Sequence, residues 1–189
     1  MKRNSALSHL DSPLAAIKNW FSRNKTPYVI IGGVASSYLG MPRFTADVDA
    51  VIDSSGLDLK KLLESASAFN LKPRIRNCLS FARQNRILLL IHTPSSINAD
   101  VSLGILPFEL MAIKHARKKK IGQTFINFPR VEDLIIFKAV AGRPQDISDI
   151  RALLKIESRL NTKYIIKTVS EFARVLEKPE IVTDLKRLL

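Results

Sequence analysis

The sequence predicts an α/β chain in the α+β sense: a small mixed β-sheet flanked by helices and followed by C-terminal helices. Three observations predict it. Residues 28–53 read as a strand, a Gly-Gly turn, a short helix, a loop and a second strand. Two further apolar runs, 86–92 and 97–103, have strand length and are parted by Pro94-Ser95-Ser96. From Val131 onward, glycine and proline punctuate segments with apolar residues at helical spacing. The chain thus divides into a core over 1–130 and a helical portion over 131–189 packed on it. A length of 189 residues is enough to bury a core of that kind.

Residues 1–11 are polar and are expected to fray at their start. Ser12-Pro13 offers an N-cap and a proline for the first helical position. Leu14, Ile17, Trp20 and Phe21 follow at helical spacing, to an end near Asn24. Thr26-Pro27 leads into 28–31, where β-branched and aromatic residues favour a buried strand. Gly32 and Gly33 let the backbone turn and approach a ligand with no Cβ in the way. Residues 34–39 can start a helix whose free N–H groups face an anion. The second strand carries Asp47 and Asp49, which alternation places on one face, roughly 7 Å apart at Cα. Asp53 reads as a turn residue where that strand runs out.

Residues 57–69 read as an amphipathic helix with Leu59, Leu62, Leu63 and Ala66 inside. The basic stretch 71–81 reads as a short strand or loop. Residues 107–116 form a helix ending in Arg117-Lys118-Lys119-Lys120, and 121–128 one more strand. The helix over 131–141 is apolar almost all round. Gly142 ends it and Pro144 begins the next, whose buried stripe is Ile147, Ile150, Leu153 and Leu154. Two charged helices, 161–176 and 179–189, close the chain.

Two carboxylates on one face of a buried strand repel unless something pairs them. A hard divalent cation does so: Mg²⁺ takes one or two carboxylates and fills its other positions with water and substrate phosphates. A phosphate-cradling turn beside such a pair is the equipment of phosphoryl or nucleotidyl transfer. A plain turn and two surface aspartates would account for either feature alone, less well for both in this order. Asp100 is a lone carboxylate between Ala99 and Val101, costly unless it is paired, metal-bound or at an exposed edge. Lys138 falls between Leu134 and Ile135 on the helical wheel, so it either meets an anion or snorkels to the surface. Read as unpaired, its loss is expected to cost little stability. Asp146, in the first turn of the next helix, is within reach of Arg143 or Lys138 and reads as supporting the site.

Gly32-Gly33 followed by Asp47-x-Asp49 on the next strand resembles the DNA polymerase β-like nucleotidyltransferase superfamily. Within it, Gly32-Gly33-Val34-Ala35 with Arg43-x-Thr45-x-Asp47-x-Asp49 is similar to the AbiEii-type nucleotidyltransferase group, which includes toxins of type IV toxin–antitoxin systems. A second matching block is Glu132-Asp133-Leu134, Lys138 and Ala141-Gly142-Arg143-Pro144-Gln145-Asp146. Leu39 departs from the pattern, since relatives often place a histidine before the glycine. The resemblance implies transfer of NMP from an NTP with two Mg²⁺ ions, or Mn²⁺ in their place. It implies Asp47, Asp49 and Asp100 as catalytic and metal-binding carboxylates. Gly32, Gly33, Arg43, Thr45 and Lys138 are the implied nucleotide-binding residues. It further implies an RNA acceptor, such as a tRNA 3′ end, and a cognate antitoxin protein as partner.

Composition narrows the partners. A formal net charge of +13 favours a polyanion such as RNA. Between Leu71 and Lys120 stand ten Lys or Arg against two acids, Asp100 and Glu109. That block is expected to flank the Asp100 strand as a phosphate-contacting track, the alternative being a solvated basic face. A protein hydroxyl is the second acceptor; a cationic small molecule such as an aminoglycoside is repelled by such a surface. A catalytically silent RNA-binding or antitoxin-like module is the alternative from another class, and the intact carboxylates argue against it. The single Cys78 excludes an internal disulfide and fits a reducing cytoplasm. His9, His92 and His115 are too scattered for a zinc site. No apolar run has membrane-spanning length, and the N-terminus has no signal-peptide core.

Overall fold

The computed structural model of the chain describes residues 5–189; the expected fraying of residues 1–4 lies outside them. The main sheet is made of β1 (Tyr28–Ile31), β2 (Asp47–Asp53), β3 (Leu71–Pro73), β4 (Ile87–His92) and β5 (Ile97–Gly104). Their order is β1-β2-β5-β4-β3, with β2 and β5 parallel and the other neighbours antiparallel. The period-2 pattern divides the sheet into two faces. Val48, Ala50, Ile52, Leu88, Leu90, Ala99, Val101 and Leu103 point into the core and are buried. The opposite face carries Asp47, Asp49 and Asp100 toward one end of β2 and β5. Toward its other end, Val29 and Val51 are buried where α5 (Pro107–Lys114) packs on β1 and β2.

Helix α1 (Asp11–Arg23) buries Leu14, Ile17, Trp20 and Phe21 against the core. The Trp20 indole N–H donates to the Leu62 carbonyl at 3.1 Å, tying α1 to α3 (Leu59–Ser65). Helix α2 (Gly32–Leu39) follows β1 without a loop. The apolar α6 (Val131–Ala141) is enclosed because α2, α7 (Pro144–Ile156), α8 (Thr162–Val175) and α9 (Glu180–Lys186) all pack on it. Gly142 ends α6 at φ +65, a left-handed conformation that glycine adopts without strain. No described helix is long and apolar enough to cross a membrane.

Several elements differ from the sequence expectation. Residues Ser5–Leu10 form a 3₁₀ turn with Leu7 and Leu10 fully buried, so α1 starts at Asp11 rather than at a Ser12 cap. The two leucines anchor this turn on the core. The 57–69 helix is two pieces: α3, capped by the Asp58 carboxylate accepting from the Lys61 N–H, then a 3₁₀ turn Ala66–Phe69. The basic 71–81 stretch holds β3 and the start of a helix, α4 (Cys78–Asn85), which buries Cys78 and Ala82. Arg117–Ile121 is not a helix end but a strand, β6, paired antiparallel with β7 (Thr124–Phe128). On a helix four consecutive cations crowd one another at the i,i+3 spacing; on a strand they alternate between two faces. Gly122, at φ +53, makes the hairpin turn.

Candidate active site

The site is assembled at the junction of β1 and α2. Gly32 sits at φ +62, and a Cβ there would overlap the Asp49 carboxylate. A Cβ on Gly33 would overlap the Thr45 side chain. The two glycines therefore give room to the groups that face them as well as to the turn. Register puts Asp49 opposite Ile31 on one side and opposite Asp100 on the other. In-register residues of neighbouring strands point the same way, so Asp49 and Asp100 share a face with Asp47.

Electrostatics reflects the crowding. Burial pushes the Asp49 carboxyl up to about 6, with the charges of Asp47 and then Asp100 adding to it; Arg143 and Lys138 pull the other way. Burial also raises Asp100, opposed by Arg74. The Arg74 guanidinium donates to the Asp100 carboxylate at 2.7 Å. Asp47 is oriented by the Thr45 hydroxyl, which donates to it at 2.9 Å. Thr45 is itself buried, and its carbonyl meets the His9 ring nitrogen at 2.8 Å.

The remaining residues named from the sequence lie in a buried ionic network between the 40–46 loop and α6–α7. Lys138 is 3% exposed and donates to Asp146 at 2.9 Å and to Asp149 at 2.7 Å. Arg43 makes a two-pronged bond to Asp149, 2.9 Å at each nitrogen. Arg143 donates to Asp146 through Nε at 2.6 Å and through a terminal nitrogen at 3.2 Å, and the side chain is otherwise exposed. Burial alone would raise both aspartates. The hydrogen bonds outweigh it: Arg143 and Lys138 hold Asp146 below the usual carboxylate range, and Arg43 and Lys138 bring Asp149 down to about 2. Lys138 thus has its anionic partners within the chain and does not snorkel, so the small stability cost expected of its loss does not hold.

Two side chains here were not singled out from the sequence. Asp149 follows Asp146 by three residues, which places both on one face of α7 toward α6; that spacing was the available signal. Arg74 stood in a basic run with nothing to distinguish it from its neighbours, and only the register of β3 on β4 brings it beside Asp100. The basic block also divides differently than expected. Arg74, Arg76 and Arg83 lie on the β3 and α4 side, beyond β4. The β6–β7 hairpin packs along β1, at the other edge of the sheet. Only the first group neighbours Asp100.

Among the described residues, no group of three His, Cys, Asp or Glu side chains is arranged to hold a metal ion. The chemistry of the donor set nevertheless fits a hard cation. It offers carboxylate oxygens only, and Asp49 is raised by burial and by its like-charged neighbours, with no hydrogen-bond donor from the described residues. Such a site releases repulsion when a cation enters.

Comparison with known proteins gives the fold and the family. A search of curated proteins finds no match. Among solved structures, the chain is similar to the antibiotic-resistance factor ANT(2″)-Ia, with a TM-score of 0.61 and 13% identity, over 89% of this chain and 94% of that one. At that identity the likeness shows the fold. An antigenic nucleotidyltransferase-like protein from Paracoccidioides brasiliensis matches at a TM-score of 0.49 and 14% identity, over 94% of this chain and 92% of that one. The family model described as "Nucleotidyltransferase of unknown function (DUF6036)" matches residues 5–183, nearly the whole described chain. The chain belongs to that nucleotidyltransferase family.

Proposed function

We propose that the protein transfers an NMP from an NTP to an RNA acceptor, such as a tRNA 3′ end, in the manner of the AbiEii-type toxins. The observation that carries the transfer chemistry is the convergence of Asp47, Asp49 and Asp100 on one sheet face beside the Gly32-Gly33 turn. In this reading Asp47 and Asp49 hold a divalent cation, and Asp100 joins them on parting from Arg74. When bound, the cation supplies neutralisation of the developing charge on the triphosphate oxygens. The chain's own residues do the rest. The α2 N-terminus presents backbone N–H groups to a phosphate. Thr45 fixes the Asp47 carboxylate. The Arg43–Asp149–Lys138 network fixes the loop that carries Thr45. The exposed guanidinium of Arg143, which acts electrostatically on Asp49 and Asp47, is the cation best placed to meet the triphosphate. Lys138 supports the site from beneath.

The RNA acceptor rests on the charge of +13. The test is incubation with each α-labelled NTP, Mg²⁺ and either total RNA or total protein. Label in a discrete RNA band is the expected result. Label in protein alone moves a protein hydroxyl into first place, and a partner protein that abolishes RNA labelling identifies the antitoxin.

A further inference from the structure

We propose that the cleft between α1 and the β6–β7 hairpin is a binding groove for single-stranded nucleic acid, separate from the carboxylate site. The proposal rests on the reading of RNA as acceptor and assigns where the body of that RNA runs.

The cleft measures about 690 Å³ and is lined by Lys18, Lys25 and Lys118 together with Tyr28 and Phe125. Among the described residues, no acidic side chain lines it. It opens at Tyr28, the first residue of β1, whereas the glycine turn follows the last. Four strand residues at about 3.3 Å each therefore separate the two sites along β1.

Three features point to nucleic acid. First, the cations have no acidic partners among the described residues, the one hydrogen bond being from Lys18 to the neutral Asn19 side chain at 3.2 Å. Lys18, Lys25, Lys118 and Lys120 make no ion pair among the described residues, whereas on the other side of the sheet Arg74 and Arg86 are committed to Asp100 and Glu109. Second, Phe125 is 57% exposed although its neighbour Ile126 and nearby Phe128 are fully buried. Alternation turns it outward, and register places it directly across from Lys120, with Lys118 across from Asn127 on the same face. An apolar ring held open among lysines gains most by covering itself with a base. Third, the lining combines phosphate-binding cations and an aromatic surface without an acid to repel the backbone. Lysines on an edge strand also guard against edge-to-edge pairing. That role requires neither an exposed Phe125 nor Lys18 and Lys25 on the far wall.

A duplex keeps its bases stacked within itself, so the ring selects a single strand. The test is fluorescence anisotropy with a labelled 14-nucleotide mixed-sequence RNA, single-stranded or annealed, without NTP or metal. Phe125→Leu keeps an apolar residue on β7. It is expected to weaken single-strand binding about tenfold, leaving duplex binding and the salt slope unchanged. Lys118→Gln with Lys120→Gln is expected to flatten the slope of log K against log salt by about 1.4. Wild-type affinity and slope in both variants overturn the groove. Equal competition by polyglutamate and poly-U also overturns it, assigning the face to an acidic protein. RNA that binds through the groove but is never labelled contradicts the acceptor reading alone. RNA labelled normally by variants that bind it normally contradicts the groove alone.

Discussion

Asp49 shows how a single residue can be costly to the fold while serving the proposed site. It is crowded by Asp47 and Asp100 and lies against Gly32, and its carboxyl is pushed up to about 6 from an ordinary 3.8. A folded-state value above the unfolded one means that ionised Asp49 opposes folding. The penalty is complete above about pH 6 and disappears below about pH 4. Without metal, Asp49→Asn is therefore expected to raise the melting temperature by about 4 °C at pH 8 and to lose that advantage as pH falls toward 4. Calorimetry at the two pH values checks this, and a lower melting temperature at pH 8 would contradict the crowding. Gly32→Ala goes the other way. It needs φ +62 and places a methyl where the Asp49 carboxylate lies. A loss of about 2 kcal/mol in urea denaturation is expected, together with loss of transfer even where the variant remains folded.

At the scale of elements, the helix pair α6–α7 holds the loop between α2 and β2 through Lys138, Asp149 and Arg43. Removing Lys138 leaves Asp146 and Asp149 buried with reduced compensation. Lys138→Ala is expected to cost about 3 kcal/mol in chemical denaturation. Arg143→Ala takes one of two cationic partners from the buried Asp146 and leaves Lys138 on it, so it is expected to cost about 1 kcal/mol, less than Lys138→Ala, while raising the KM for NTP severalfold. The reverse pattern would return the triphosphate contact to Lys138. The network's own pH dependence follows from Asp149, whose folded value is near 2 against 3.8. Its contribution is present above about pH 4 and is lost as pH falls toward 2.

Much of this scale was legible in the sequence. β1, β2, β4, β5 and α6 are strongly apolar segments bounded by Gly, Pro or polar breaks, and apolar run length, residue type and those breaks find them. The pairing of Asp49 with Asp100 was accessible only through resemblance, because a parallel register is set by tertiary packing. The β6 strand was misread because a run of like cations carries no periodicity, and its partner strand decides its conformation. α4 was missed for a related reason: it buries only Cys78 and Ala82, too few apolar positions to stand out in a basic stretch.

For the whole molecule, the cations of the 71–120 block, which carry more than half of the excess charge, stand mainly at two edges of the sheet with the carboxylates between them. The β3 side neutralises part of its charge internally, and the hairpin side makes no ion pair among the described residues. An anionic acceptor, if RNA is the acceptor as proposed, would thereby be drawn toward an otherwise acidic site. Transfer to RNA should accordingly fall steeply with salt through KM, while NTP binding, which in the proposed site involves fewer phosphate contacts, falls much less. Steady-state kinetics between 50 and 200 mM salt, roughly the range over which phosphate contacts weaken most visibly, separate the two. The central claim is that Asp47 and Asp49 carry NMP transfer. It is tested most directly by measuring pyrophosphate release together with NMP gained by the acceptor, in the wild type and in Asp47→Asn and Asp49→Asn. Equimolar pyrophosphate and incorporated NMP in the wild type are predicted, abolished by EDTA and by either substitution in protein that remains folded. Undiminished incorporation in the two folded variants would contradict it.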